Sequence, residues 1–152
     1  MKYIIADQPE LVGNWVLEQQ GAKWNPGRGQ AIGLFEDERI IAGVVFDSWN
    51  GASMCIHVAA VPGARWRTRQ YLNVVFYYAF EQMGCKKLLG LVGSGNKVAQ
   101  RFDEHLGFVL EATLEAAHPD GNLLVYSMTK EQCRWLTRNY LKENIHGKTL
   151  RT

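Results

Sequence analysis

Between Gln70 and Met83 the apolar residues Leu72, Val75, Phe76, Ala79, Phe80 and Met83 fall at i, i+3, i+4, i+7, i+8 and i+11, and Gly84 follows. That spacing draws one broad apolar stripe along a helix, and the glycine supplies its C-terminal stop. Apolar runs of strand character flank it: Ser53 to Val61 (SMCIHVAAV), ended by Pro62-Gly63, and Lys87 to Val92. Strand, helix and strand of these lengths make a β-α-β unit, which joins two parallel strands by a right-handed crossover. With 152 residues there is room for one compact domain, 1–152, around that unit. A composition of 47% hydrophobic and 21% charged residues argues against a disordered, collagen-like or coiled-coil chain.

The remaining elements follow from turn signals and periodicity. Tyr3 to Ala6 reads as a first strand, and Leu11, Trp15 and Val16 give a first helix from Glu10 to Gly21. Trp24 to Gln30 (WNPGRGQ) holds the densest turn signal and reads as a surface loop, either a connector or the border of a site. Ala31 to Phe35 and Ile40 to Phe46 form a hairpin around Glu36-Asp37-Glu38-Arg39, and Asn50-Gly51 turns the chain into the strand at 53–61. Three consecutive antiparallel strands result. Ser94-Gly95-Asn96 opens a shorter helix with Val98, Ala99, Phe102 and Leu106 inward and Gly107 as its stop. Val109 to Ala116 and Leu123 to Thr129 read as two last strands around Pro119-Asp120-Gly121-Asn122. A final helix is expected from Lys130 to about Leu141, with Cys133, Leu136 and Tyr140 on one side, and a frayed HGKTLRT tail after it.

Several function classes lose support at this level. Cys55, Cys85 and Cys133 are odd in number and form no CxxC pair, which argues against a disulfide framework and a structural zinc site. The four histidines, His57, His105, His118 and His146, show no HExxH or HxH spacing, so no metal is expected. A formal charge of +2 predicts neither nucleic acid nor membrane as a partner. No apolar run approaches the ~18 residues of a spanning helix. The start MKYIIADQPE meets Asp7 too early for a signal-peptide core, so the expected location is the cytoplasm.

More specific residues sit within this element order. Asn96-Lys97-Val98-Ala99 is followed by His105-Leu106-Gly107-Phe108, with the Gly eleven and the Phe twelve residues after the Asn. Around them stand Tyr78-Ala79-Phe80 with Gly84, Glu111 three residues after Phe108, and Tyr126-Ser127-Met128 leading to Glu131-Gln132-Cys133-Arg134-Trp135-Leu136. In these residues, over Ala31 to Leu136, the chain resembles the GNAT superfamily of acyl-CoA-dependent N-acetyltransferases, and more narrowly its short phage-encoded members. The resemblance implies an α/β fold with a twisted, mostly antiparallel sheet of six to seven strands, a splayed parallel pair and flanking helices. It implies acetyl-CoA as the cofactor, an amine acceptor that is a small molecule or a protein, and a host cytoplasm if the chain is phage-encoded; a homodimer is left open. Coenzyme A would enter between the strands at 53–61 and 87–92, whose unpaired backbone groups a pantetheine arm can satisfy.

The chain departs from the family's pyrophosphate loop, R/Q-x-x-G-x-G/A. Thr68, Gln70 and Leu72 stand where glycines or a small residue are expected. Arg65, Arg67 and Arg69 offer guanidinium groups for phosphate, together with the Thr68 hydroxyl and the amino end of the helix near Gln70; a solvated basic turn is the other reading. His57, mid-strand beside the expected thioester, is the candidate base, because an imidazole with an ordinary pKa of about 6.5 accepts a proton at neutral pH; a hydrogen-bonded structural histidine is the alternative. Backbone N–H groups near Val58 or Ala59 would stabilise the oxyanion. Many relatives carry an acidic Tyr seven residues after the helix-opening Asn, and here that position is Asp103, a poor proton donor unless buried. The thiolate's proton would then come from Tyr126, Ser94 or water, or the thiolate would leave unaided. Asn96, with Ala99 beside it, would bond pantetheine, cap its helix, or do both. Glu111 could meet a cationic amine, and Trp24, Asn25 and Trp49 could line the acceptor mouth, although strand carboxylates are commonly solvated and aromatic residues commonly core. A catalytically silent acyl-CoA-binding or protein-interaction module is the rival reading, favoured by the lost glycines and Tyr.

Overall fold

A computed structural model describes residues 1–136 and 149–151. In chain order the elements are β1 Lys2–Ile5, α1 Pro9–Glu18, β2 Gly29–Glu36, β3 Arg39–Asp47, β4 Ser53–Ala60, α2 Arg69–Tyr77, β5 Lys87–Gly93, α3 Lys97–Leu106, β6 Val109–His118, β7 Gly121–Thr129 and β8 Thr149–Arg151. They build one eight-stranded sheet in the order β6-β7-β5-β4-β3-β2-β1-β8. Every neighbouring pair among the described residues is antiparallel except β4 and β5, the pair joined through α2. The sheet has one strand more than the six to seven expected. The extra strand comes from the tail that was expected to fray: Thr149–Arg151 pairs with Tyr3–Ile5 and so gains a ladder of backbone bonds.

Helix α1 covers one face of the sheet. Its buried residues are Val12, Gly13, Val16 and Leu17, the three apolar side chains packed with Ala31, Phe35 and Val45. The stripe is therefore turned from the one expected: Leu11 is 50% exposed and Trp15 only partly buried. Helix and sheet approach closely because Gly33 and Gly43 are register partners. A Cβ at Gly33 would lie 2.8 Å from Val12, and one at Gly43 would lie 2.5 Å from Val16.

The opposite face carries α2 and α3. From Tyr71 to Phe76 every residue of α2 is buried, each large apolar one contributing roughly 1.5–3 kcal/mol. Tyr71, outside the apolar stripe, is also fully buried and donates its hydroxyl to the Ile32 carbonyl at 2.7 Å. Nor does the helix run uniformly to Met83. After Tyr77 it widens into a π-helical turn, Tyr78–Gln82, in which the Met83 N–H reaches the Tyr78 carbonyl. Helix α3 begins and ends where expected, with the Asn96 side chain accepting from the Ala99 N–H and Gly107 taking a left-handed conformation at φ 111°. Val98, expected inward, is 64% exposed.

No helix starts at Lys130. Residues 130–136 run as turns, held by tertiary bonds: Trp135 Nε1 donates to the Leu106 carbonyl at 2.8 Å, and Asn73 Nδ2 donates to the Trp135 carbonyl at 2.9 Å. Those long-range partners outweigh local helix propensity. Tyr140 and the rest of the expected helix lie outside the described residues.

Candidate active site

The parallel ladder between β4 and β5 holds for three residue pairs, Ser53↔Lys87, Met54↔Leu88 and Cys55↔Leu89, and then stops. Beyond it β4 stays paired to β3 as far as Ala60, and β5 stays paired to β7 as far as Gly93. Two strands fixed on their outer edges and parted on their inner ones leave a slot. Its volume is about 460 Å³, and its walls include Ile56 to Ala60 of β4, Gly90 to Gly93 of β5, and Asn96, Val98, Ala99, Phe102 and Asp103 at and beyond the start of α3, with His118 and Gln20 at its margins.

The ladder decides which backbone groups face this slot. Val61 donates to the Ile41 carbonyl, and hydrogen-bonded pairs in an antiparallel ladder recur at every second residue, so Ala59 and His57 spend their amides on β3. Ile56, Val58 and Ala60 direct theirs to the slot. The Gln20 side-chain amide already occupies the Val58 carbonyl from that side, at 3.3 Å. Of the two amides expected near the oxyanion, that of Val58 faces the slot and that of Ala59 faces away.

His57 lines the slot from the face that carries α1, and its ring is oriented by a residue the sequence reading did not single out. Nε2 lies 3.0 Å from Asp47 Oδ2, and the same oxygen accepts from Arg28 Nε at 2.8 Å. Asp47 is only 6% exposed. Burial raises its pKa, but the bond and charge of His57 and the charge of Arg28 outweigh this and hold it below the ordinary value. An ionised carboxylate only accepts, so Nε2 must donate and Nδ1 keeps the lone pair. A buried carboxylate that fixes the tautomer of a cleft histidine is the arrangement that makes imidazole an efficient base. The signal for Asp47 was present: Val45 stands opposite His57, which puts Asp47 and His57 on one face of a hairpin.

The other expected residues divide by position. Val58, Ala59, Asn96 and Ala99 gather with His57 along the slot. Arg65, Arg67 and Arg69 are exposed on the segment that leaves its open end after Ala60, and the Arg67 guanidinium lies 5.6 Å from the ring of Phe102, a wall residue. Thr68 caps α2 by accepting the Tyr71 N–H at 3.1 Å, and with Gln70 it borders a separate shallow depression beside Met1, Lys2 and Glu36. Tyr126 is 2% exposed, does not line the slot, and donates its hydroxyl to Glu104 at 3.2 Å. Glu111 is bound by Lys87 at 2.8 Å and Ser127 at 2.6 Å, next to the closed end of the β4–β5 pair. Trp24 packs on α1 at Gly13, Asn25 shapes a turn by accepting the Arg28 N–H, and Trp49 sits in the turn before β4, also at the closed end. None of these last five residues lines the slot.

Two further groups matter for chemistry. Burial raises the thiols of Cys55 and Cys85 and pushes that of Cys133 up to about 11, so none of the three is a ready thiolate. Asp103, by contrast, faces the slot and is pushed up to about 7 by burial and by the neighbouring Glu104.

Comparison with known proteins agrees with this architecture. The N-acetyltransferase PseH of Campylobacter jejuni, solved in complex with acetyl coenzyme A, superposes at a TM-score of 0.54 and 19% identity over 75% of this chain and 72% of that one. Mutant forms of the spermidine/spermine N-acetyltransferase SpeG from Vibrio cholerae match at 0.68 and 13% identity, over 86% of this chain and 96% of theirs. A further structure of the Vibrio cholerae enzyme, in complex with CoA and spermine, matches at 0.58 and 16% identity, over 70% and 68%. This is the GNAT fold. At the level of sequence no family profile and no curated protein matches the chain.

Proposed function

We propose that the protein is an acetyl-CoA-dependent N-acetyltransferase that passes an acetyl group to a primary amine by direct attack in a ternary complex. The observation that carries this reading is the loss of pairing between β4 and β5 after Cys55 and Leu89, beside a histidine whose tautomer is set by a buried aspartate. Ligands named with the fold's neighbours, acetyl coenzyme A for PseH and CoA with spermine for SpeG, support it.

The residues fit such a cofactor. An extended arm bearing amides can take up the free edge of β4 at Ile56, Val58 and Ala60, displacing the Gln20 side chain from the Val58 carbonyl. Arg65, Arg67 and Arg69, exposed on the segment after Ala60, would meet its phosphates, and the approach of Arg67 to the wall residue Phe102 supports this. Acetyl-CoA supplies the acyl group already activated as a thioester. His57 Nδ1 takes the proton that an ammonium must lose, while Asp47 steadies the imidazolium that forms. The Val58 N–H meets the developing oxyanion. Holding both reactants in one slot supplies much of the rate.

Isothermal titration with acetyl-CoA and with coenzyme A, followed by release of free thiol with a panel of primary amines, tests this. No binding of either sinks the proposal. Binding without thiol release from any amine favours the second reading, a silent acyl-CoA-binding module, for which the missing glycines at Thr68 and Gln70 speak.

A further inference from the structure

We infer that Asp103 is a catalytic residue of the transfer proposed above, the general acid that hands its carboxyl proton to the departing thiolate. The inference rests on that transferase reading and assigns a group within it.

Geometry carries the argument. Helix α3 is fixed at both ends, by the Asn96 cap and by Gly107. The Asp103 carboxyl lies against β5 where β5 has no side chain: a Cβ on Gly90 would come to 3.1 Å from Oδ2. Side chains alternate along a strand, and Gly90 shares a face with the core residues Leu88 and Val92, whereas His57 shares one with Val45 and Ala59. The slot thus has a base on its α1 face and a carboxyl on its α3 face. Among the described residues the Asp103 carboxyl makes no hydrogen bond and no ion pair. Its oxygens open onto the slot rather than into the core, so what they can meet is whatever occupies the slot.

The surroundings keep the proton in place. Glu104 adds a like charge from the same helix, and the Tyr126 hydroxyl of β7 is turned to Glu104. His57 of β4 and His118 of β6 line the same slot, and Arg67 approaches the adjacent Phe102 ring. Burial and Glu104 together push Asp103 up to about 7, so near neutral pH a large share of it is protonated. A thiol's ordinary pKa of about 8.5 lies above that value, so the transfer runs downhill. The step balances: the amine nitrogen bonds to the acyl carbon, the C–S bond breaks with its electron pair on sulfur, and the Asp103 proton joins that sulfur. The ammonium loses two protons on becoming an amide: His57 takes the first and releases it to solvent through the open mouth, and then holds the second. Asp103 regains a proton from solvent through the open mouth.

The test compares wild type with Asp103→Asn and Asp103→Ser. In the unliganded protein, wild-type thermal stability is expected to decline as pH rises from about 4 to 7, because the folded state holds a proton that the unfolded chain has released, and both variants flatten that decline. With acetyl-CoA and amine saturating, wild-type kcat is expected to fall on an alkaline limb near pH 7. Both variants should lose that limb and about a hundredfold in kcat, while keeping coenzyme A affinity. Variants that match wild type in kcat and in the limb overturn the assignment, as does a limb removed by Tyr126→Phe instead. A wild type inert to the whole amine panel overturns the transferase reading itself, a failure distinct from an active wild type indifferent to Asp103.

Discussion

Replacing Asp47 with Asn keeps the shape of the side chain and removes its charge. Asp47 Oδ2 receives Arg28 Nε at 2.8 Å and His57 Nε2 at 3.0 Å, and Oδ1 receives the Ser48 hydroxyl at 3.2 Å. A hydrogen bond to a charged group contributes about 1.5–3 kcal/mol and a neutral one about 0.5–1.5, so each of the two bonds on Oδ2 loses roughly 1 kcal/mol. Ser48 can rotate to accept from the new amide, so its bond is kept. The sum, about 2 kcal/mol, corresponds to a Tm lower by about 4–8 °C for a domain of this size. The sign of the pH dependence follows from the depressed pKa. A carboxylate held below its ordinary 3.8 stabilises the fold fully above that value and loses the contribution as pH falls through the folded one. The gap between wild type and Asp47→Asn should therefore be complete at pH 7 and close on the acid side of 3.8. Calorimetric or urea unfolding at pH 7 and at about pH 3 measures both ends. Equal stability at pH 7, or an undiminished gap in acid, refutes the assignment of Asp47 as an ionised anchor of His57.

Other expectations can be checked alongside. His57→Gln should cut turnover and leave coenzyme A affinity intact by titration calorimetry; unchanged turnover removes His57 as the base. Combined with Asp47→Asn it should cost little more than either change alone, since the two act as one unit, and simple additivity would show independent roles. Arg67→Ala should weaken coenzyme A binding by about 1.5–3 kcal/mol, and equal affinity would leave the guanidinium as a mere cover for Phe102. Gly13→Ala would set a Cβ 2.2 Å from the Trp24 ring, so it should destabilise by about 1–3 kcal/mol; a neutral result would free Trp24 from its packing role.

What could be read from the sequence, and what could not, follows the range of the interactions. The α2 stripe, the Asn96 and Gly107 caps and the three-strand meander are local patterns of spacing and turn chemistry, and they are found where expected, although α2 itself ends at Tyr77. The Lys130 helix failed because Trp135 and Asn73, far apart in sequence, hold those residues in turns. The widening at Tyr78 left no mark in the apolar period. Asp47 meets His57 through the β3–β4 register, which the hairpin pattern allowed, whereas Arg28 meets Asp47 only through the loop before β2, for which no local pattern speaks.

Asp103 shows the same limit acting on chemistry rather than on fold. As a letter in the sequence it is a plain carboxylate, and its ordinary pKa makes it useless as an acid at neutral pH. Only the packing of α3 on a glycine of β5 sets it, partly buried, in the wall of the slot. The same gap in β5 that admits the carboxyl lies in the part of the strand that has left β4, so one local break creates the slot and places an acid at its wall. A Gly90→Ala substitution therefore disturbs Asp103 without altering any ionisable group. It should change turnover and its alkaline limb while leaving the phosphate end of the slot, and with it coenzyme A affinity, nearly unchanged. A uniform loss of coenzyme A affinity with the limb intact would mean that Gly90 serves only to make room for the cofactor, and that Asp103 lies beside the chemistry without entering it.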